Sequence, residues 1–255
     1  MNNWTRAELK GRAKSVLQQN YWIAFVVALI LLVSLGSGSI NYKDSFDNFK
    51  NHEAIIQYNG ELNIHTFEDI KGIYNDLDFP GKGVLTGMIS AAVIVGALFM
   101  LALRIFLFNP LAAGCYKFYS TSAESPHNNM EYVGLAFQKD KYWGIVKTMF
   151  LKNLYILLWS LLFIIPGIIK AYAYRMVPYI ITDNPEMSAD EAISLSRKMM
   201  NGQKWNAFVL DLSFIGWYLL GALAFGIGTL FVNPYKFSTD AQLYLVVRDK
   251  AISDN

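Results

Sequence analysis

Several charged residues lie in or beside the long apolar stretches of this sequence, and Arg175 and Asp211 are the two least able to reach a predicted span end. A lone charge in lipid is costly, so ionisable residues within membrane spans are usually paired or line a functional path. If the chain folds as paired spans, Arg175 and Asp211 can meet and neutralise each other. The sequence therefore predicts an intramembrane charge pair. Such a pair either locks two helices together or lines a route for a solute or a proton.

The residue types that support most enzyme chemistry lack a suitable spacing. The three histidines, His52, His65 and His127, fall in predicted loops and have no partner four residues away. Cys115 is the only cysteine, which excludes an intrachain disulfide and a thiolate metal cluster. The sequence contains no Gly-x-Ser-x-Gly motif, phosphate-binding loop or His-Glu-x-x-His motif. We therefore expect a non-enzymatic protein with no catalytic residues, no metal and no cofactor.

The composition indicates a membrane protein. Hydrophobic residues make up 54% of the chain and charged residues only 16%, whereas soluble domains carry about 25% charge. Apolar runs occupy residues 21–35, 84–108, 145–165 and 208–232. A helical span needs roughly 20 mostly apolar residues. These features predict an all-α integral membrane protein.

An internal repeat predicts where the chain enters the membrane. When the sequence is aligned with itself, residues 5–8 match residues 188–191, and Trp22 falls on Trp205. Each copy reads as a capped amphipathic helix, then an aromatic residue and an apolar run. A weaker middle copy contains Trp143. The pattern predicts amphipathic helices in the membrane interface, with Trp22, Trp143 and Trp205 as anchors at the headgroup level.

Proline marks the end of each apolar unit. Asn109-Pro110 follows the second run and Asn233-Pro234 follows the last run, while Pro178 has the same place in the middle copy. Asn is a favoured N-cap, and Pro fits the first helical position. Each site is therefore predicted to end a span and to start a new helix.

The middle unit is too long for one span. Residues 143–178 would form a helix of about 53 Å, so a hairpin folded at Pro166-Gly167 is predicted. The last unit has two possible interpretations: one tilted span over 208–232, or a hairpin that turns around 221–228. Six spans are favoured, with four or five as alternatives.

The predicted organisation is a single membrane domain over residues 1–255. Residues 40–83 hold eight acids and four lysines, for a net charge of −4, and suit an external loop. The predicted order is an interfacial helix at 1–20, a span at 21–39, an extracytoplasmic loop at 40–83, a span at 84–109, a cytoplasmic interfacial segment at 110–142, hairpin spans at 143–182, an interfacial helix at 183–204, a last span or hairpin at 205–234, and a cytoplasmic tail at 235–255.

Charge predicts the orientation. Four basic residues precede the first apolar run, which places the N-terminus in the cytoplasm, and an even span number places the C-terminus there too. A cleaved secretory signal is the alternative interpretation of the N-terminal region. Six spans put residues 183–204 inside, whereas four put them outside.

Three stretches of the chain carry a family resemblance. Residues 3–25, 145–205 and 208–235 closely resemble the bacterial membrane-protein family called domain of unknown function 975. The resemblance implies a protein of the bacterial cytoplasmic membrane and brings no established activity or catalytic residues. More distantly, the interfacial helix followed by Trp resembles the membrane portion of some glycerophosphodiester phosphodiesterases. We expect no room for their soluble catalytic domain in this chain.

These observations favour a non-enzymatic polytopic membrane protein that serves membrane organisation, envelope stress or assembly with a partner. The expected partners are the lipid bilayer and a second copy or another membrane protein, and no basic tract suggests nucleic acid. The alternative is an exporter of small solutes or peptides, including a self-protection protein. A transporter would show a polar intramembrane cavity and internal pseudo-symmetry.

Overall fold

The computed structural model describes residues 4–36, 79–125, 130–223 and 228–253, with the backbone alone at 79–82 and 85. Every regular element in these ranges is helical, so the protein is an all-α membrane protein, as predicted. His52, His65, His127 and most of the predicted loop lie outside the described residues. The last five residues of that predicted loop, 79–83, are already helical.

Ten α-helices make up the described chain. A π-helical segment, Arg104–Phe108, joins α2 to α3, and a short 3₁₀ segment, Leu135–Phe137, precedes α5. The helices are α1 (Arg6–Leu35), α2 (Phe79–Leu103), α3 (Asn109–Glu124), α4 (Glu131–Gly134), α5 (Lys139–Leu162), α6 (Ile164–Ala173), α7 (Val177–Asp183), α8 (Ala189–Met199), α9 (Lys204–Leu223) and α10 (Gly228–Ser253).

The chain divides into two compact units. One comprises Met1–Ser37 and Leu103–Asn255, and the other comprises Gly38–Ala102. In the second unit the described part is α2, whose side chains at 86–101 are exposed and mostly apolar.

Four helical segments are long and apolar enough to cross a membrane. This confirms the predicted membrane class by length and composition. The segments are Arg6–Leu35, Thr86–Glu124, Lys139–Leu162 and Lys204–Leu223.

The first amphipathic helix covers protein rather than lipid. Thr5 caps α1 by accepting the Glu8 backbone N–H, and the helix kinks at Asn20, where φ is −141°. Leu9 and Leu17, on the apolar face of the first half, are buried in the protein core. The apolar face of this helix therefore packs on the protein core, and the position of the helix at the membrane interface stays a prediction.

The second amphipathic helix, α8, behaves in the same way. Ser188 and Glu191 form the predicted capping box at its N-terminus. Ala192, Ile193 and Met199 are buried against the rest of the protein. Both repeated helices thus belong to the helical core of the molecule.

The middle hairpin turns at Phe163, not at Pro166-Gly167. Phe163 is extended, with φ −155° and ψ 145°, between α5 and α6. Pro166 lies in the first turn of α6, where a missing N–H costs no helical hydrogen bond. A Cβ on Gly167 would come within 2.7 Å of Ser160 Cα, so this glycine permits close packing of the two arms.

The last unit is also a hairpin. A Cβ on Gly221 of α9 would lie 2.7 Å from the carbonyl carbon of Gly228 in α10, so residues 208–232 are not one continuous span. A Cβ on Gly221 would lie 2.6 Å from the Thr229 nitrogen. The two arms approach backbone to backbone here, which only glycine allows.

The backbone stays helical through both Asn-Pro pairs, although α3 begins at Asn109. Asn109 has helical angles, φ −64° and ψ −48°, and Pro234 lies inside α10. Pro110 cannot donate to the Phe106 carbonyl four residues earlier; instead that carbonyl accepts the Tyr142 hydroxyl at 2.7 Å. The Tyr142 hydroxyl therefore replaces the N–H that Pro110 lacks, and the π-helical segment before Asn109 lets the backbone remain helical at this proline. Pro178 differs, since it lies in the first turn of α7.

In the region predicted as a cytoplasmic tail, 235–255, residues 235–253 form part of a packed helix. Phe237, Ala241, Tyr244 and Val247 of α10 are buried in the core. Tyr244 stacks on Tyr179 of α7, with ring centroids 4.8 Å apart. The apolar spacing of this stretch matches one buried helical face, which the sequence interpretation missed.

Candidate functional site

Arg175 lies in the short link between α6 and α7, and Ser196 of α8 holds that link. The Ser196 hydroxyl donates to the Ala173 carbonyl at 2.8 Å and accepts the Met176 N–H at 3.2 Å. Both bonds are buried, so they fix the backbone on either side of Arg175. The arginine is therefore positioned by its neighbours rather than by a helix of its own.

The structure brings Arg175 and Asp211 together. Arg175 Nη1 donates to Asp211 Oδ2 and Arg175 Nη2 donates to Asp211 Oδ1, each at 2.9 Å. The Tyr172 hydroxyl also donates to Asp211 Oδ2, at 2.8 Å. This is a two-pronged guanidinium–carboxylate contact, the geometry that makes such pairs strong and specific.

Two further charges complete a network that the sequence analysis did not find. Arg175 Nη2 donates to Asp240 Oδ1 at 2.6 Å, and Lys236 Nζ donates to Asp240 Oδ2 at 2.8 Å. Lys236 also lies 3.5 Å from Asp211 Oδ1. The signal was present in the sequence, because Lys236 and Asp240 are four residues apart on one helical face. The assignment of residues 235–255 to a tail concealed it.

The four charges balance, and each lies mostly out of solvent. The exposed fraction of the side chains is between 10% for Asp240 and 26% for Asp211. The network joins the α6–α7 link to α9 and α10, so it ties both hairpins to the core. Buried charges of this kind are tolerated only when they are paired and hydrogen-bonded.

A family model covers this network. Residues 162–251 match the family described as protein of unknown function (DUF975). Residues 162–251 are therefore similar to this family and are called the DUF975 segment here. The match supports the family resemblance over this part of the chain, and Arg175, Asp211, Lys236 and Asp240 all lie within the matched residues.

No curated protein and no solved structure matches the chain. The distant resemblance to glycerophosphodiester phosphodiesterases therefore has no support from these comparisons.

A second charge cluster lies at the end of α7 in the DUF975 segment. Asp183 accepts the Lys117 ammonium at 2.7 Å and the Tyr244 hydroxyl at 2.6 Å. Arg248 pairs with Glu124 at 2.6 Å. Burial, together with the neighbouring Asp183 carboxylate, raises the pKa of Tyr244 above its ordinary value. The phenol therefore stays protonated and keeps donating to Asp183.

The three predicted anchors share one environment. Trp22, Trp143 and Trp205 are exposed to 70%, 67% and 71%, respectively. Each contacts a neighbouring aromatic ring; Trp205, for example, lies 5.3 Å from Phe208 between centroids. Large exposed indoles of this kind suit the headgroup region, where one edge is apolar and the other wet.

Metal-ligating side chains do not converge among the described residues, where no group of three His, Cys, Asp or Glu residues could hold an ion. Cys115 is buried in the core. The arrangement that the structure offers is a balanced charge network beside exposed apolar hairpins.

Proposed function

We propose that this chain is a non-enzymatic polytopic protein of the bacterial cytoplasmic membrane that organises the bilayer or assembles with a membrane partner. The supporting observation is the end of the α5–α6 hairpin. Leu161 and Ile164, on either side of its turn, are exposed to 81% and 76%. Apolar surface of this extent is typical of contact with lipid or with another membrane protein.

The charge network also supports this proposal, and it lies at the end of the hairpins that is opposite their turns. It binds α6, α9 and α10 together by ion pairs, so the exposed hairpin ends project from a fixed base. In this proposal both termini are cytoplasmic, the bilayer is the principal partner, and a second copy or a membrane protein is an additional one. Envelope stress is one setting in which such a protein would act.

Insertion is tested with single-cysteine variants in vesicles. Leu161→Cys, in a chain with Cys115→Ala, is labelled with an environment-sensitive dye and reconstituted into phosphatidylcholine vesicles. We expect the dye to be quenched by nitroxides on the acyl chains. The control is Asn201→Cys, an exposed position between α8 and α9, where the same lipids should quench weakly. Equal weak quenching at both sites would contradict the proposal.

The same vesicles then distinguish organisation of the bilayer from transport of a solute. The proposal expects a change in vesicle shape or in clustering of the protein, seen by cryo-electron microscopy, without catalysed flux of a trapped solute. Substrate-dependent flux would contradict it.

The second candidate is an exporter, favoured by the Arg175–Asp211–Asp240–Lys236 network. A transporter commonly places its ionisable groups in the bundle interior. Its test is proton or small-peptide flux into vesicles, compared between the wild type and Asp240→Asn. Flux that is lost in the variant, while the fold is retained, would favour export over organisation.

A further inference from the structure

Three cations near the middle hairpin lack an acidic partner in the described part of the chain. They are Lys152 on α5, Lys170 on α6 and Arg197 on α8, and none takes part in a salt bridge there. Arg175 lies only a few residues after Lys170 and differs sharply from it, because Arg175 binds the carboxylates of Asp211 and Asp240. The carboxylates therefore lie at the charge network. In the described part of the chain, none lies within salt-bridge distance of these three cations, and the contact region of α5, α6 and α8 that holds them is called the seam.

Lys170 is held over aromatic rings instead. Its Nζ lies 4.5 Å from the centroid of the Trp159 ring and 6.0 Å from that of Tyr174. A cation over an indole face is stabilised without being neutralised. The Lys170 ammonium on α6 therefore lies over a ring of α5, the other arm of the hairpin.

Arg197 lies on α8 four residues after Ile193, so the two residues share one helical face. Tyr174 and Ile193 belong to one buried cluster, against which Tyr155 packs. The seam between α5, α6 and α8 therefore has Lys170 over the Tyr174 ring and Arg197 on the face of α8 that packs against the same cluster.

Lys152 lies on the same side of α5. It is seven residues before Trp159, so the two residues share one helical face. The acids of the packed elements lie elsewhere: Asp140 at the start of α5, and Asp190 and Glu191 at the start of α8, where Glu191 is engaged with Ser188. Lys170 thus borders the aromatic rings of the seam, Arg197 lies on the adjoining face of α8, and Lys152 lies two turns farther along the same face of α5.

We propose that this seam binds the phosphate of an anionic phospholipid. Basic pockets between helices that border aromatic rings are typical of anionic headgroup recognition. Lys170 and Arg197 would contact the phosphate, Lys152 would add to the local potential, and the exposed apolar ends of α5 and α6 would pack against the acyl chains. This inference rests on the proposed insertion of the hairpin into the bilayer.

The test compares two charge-matched double variants of the full chain, purified in a neutral detergent. Lys170→Gln with Arg197→Gln removes both phosphate contacts. Lys147→Gln with Lys198→Gln removes two exposed cations as well, one on α5, the other arm of the same hairpin, and one on α8. Binding of phosphatidylglycerol and of phosphatidylcholine is measured by native mass spectrometry as lipid concentration rises.

Wild type and the Lys147/Lys198 control should bind phosphatidylglycerol more tightly than phosphatidylcholine. The Lys170/Arg197 variant should lose roughly fivefold in phosphatidylglycerol affinity for each removed cation. Equal loss in the control, or no preference for the anionic lipid in wild type, would overturn the proposal. If free glycerol phosphate bound as tightly as the lipid, the seam would be a site for a soluble phosphate and the lipid proposal would fail.

Folding does not limit the test. Arg197 is exposed, so Arg197→Gln alone serves if the double variant does not fold, with Lys198→Gln as its neighbour control. The quenching experiment at Leu161 in phosphatidylcholine vesicles reports insertion without any anionic lipid. Failure of headgroup selectivity and failure of membrane insertion are therefore separate results.

Discussion

Asp240, rather than Asp211, is the central acid of the charge network. It receives hydrogen bonds from both cations, Arg175 at 2.6 Å and Lys236 at 2.8 Å, and it is less exposed than Asp211. Loss of Asp211 leaves Arg175 still bound to Asp240. Loss of Asp240 leaves Lys236 with only the longer contact to Asp211.

We therefore expect Asp240→Asn to destabilise the protein by about 3–5 kcal/mol, the cost of breaking a buried charge pair. Asp211→Asn should cost less, because both Arg175 and Lys236 keep their short contacts with Asp240. The measurement is unfolding of the purified protein in mixed detergent micelles. Asp249→Asn, on the same helix and largely exposed, is the control and should leave the unfolding curve unchanged.

A charge-balanced double variant sharpens this result. Lys236→Met combined with Asp240→Asn leaves Arg175 paired with Asp211, so it should cost less than Asp240→Asn alone. Purely additive effects of the two substitutions would show that the network is not coupled.

The capping box of α8 predicts a pH effect. Hydrogen bonds from Ser188 lower the pKa of Glu191 below its usual value. A lowered folded-state pKa means that the stabilising contribution is complete at neutral pH and is lost as the pH falls through that pKa. Ser188→Ala should raise the Glu191 pKa towards its ordinary value, as measured by NMR titration. An unchanged pKa would show that the cap does not form in solution.

At the scale of the helices, backbone contact shapes both short hairpins. The arms of the last hairpin meet at Gly221 and Gly228, and those of the middle hairpin meet where Gly167 faces Ser160. Close approach of this kind is how small residues pack helices in a membrane. The turn positions follow from this packing, which explains why Phe163, and not the nearby proline, is extended.

Gly221→Ala should therefore destabilise the last hairpin by about 1–3 kcal/mol, the usual cost of overpacking. A methyl group there would meet the backbone of residues 228 and 229, which cannot move aside as a side chain would. Gly216→Ala is the matched control on the same helix, because a Cβ there meets nothing within 4 Å. Thermal unfolding of both variants provides the comparison, and equal melting temperatures would contradict the packing at Gly221.

At the scale of the whole molecule, the proposed topology places residues 183–204 in the cytoplasm. A single cysteine at Asn201, with Cys115→Ala, should be protected from an impermeant maleimide in intact cells and labelled after permeabilisation. Asn201 is preferable to Gly202, whose φ of 72° would strain a side chain. Labelling in intact cells would place this segment outside and reject the hairpin topology.

The membrane class, the helical content and the capped repeats follow from the sequence alone, because they depend on local composition and periodicity. The Arg175–Asp211 contact was predicted for a similar reason: two charges in apolar runs each need a partner. The local sequence does not determine which surface the apolar face of an amphipathic helix packs against. Leu9 and Leu17 would fit a bilayer or a protein core equally well, and only the packing of α1 against its neighbours shows which one they cover.

The tertiary structure decided the remaining features. Whether Asn109-Pro110 ends a helix depends on whether another group satisfies the freed carbonyl, and Tyr142, 36 residues from Phe106 in sequence, does so. Asp240 and Lys236 join the network because α10 continues through Pro234 and packs in the core. Sequence patterns determine which residues must be buried or paired, whereas the choice of partner rests on contacts between residues that are distant in the chain.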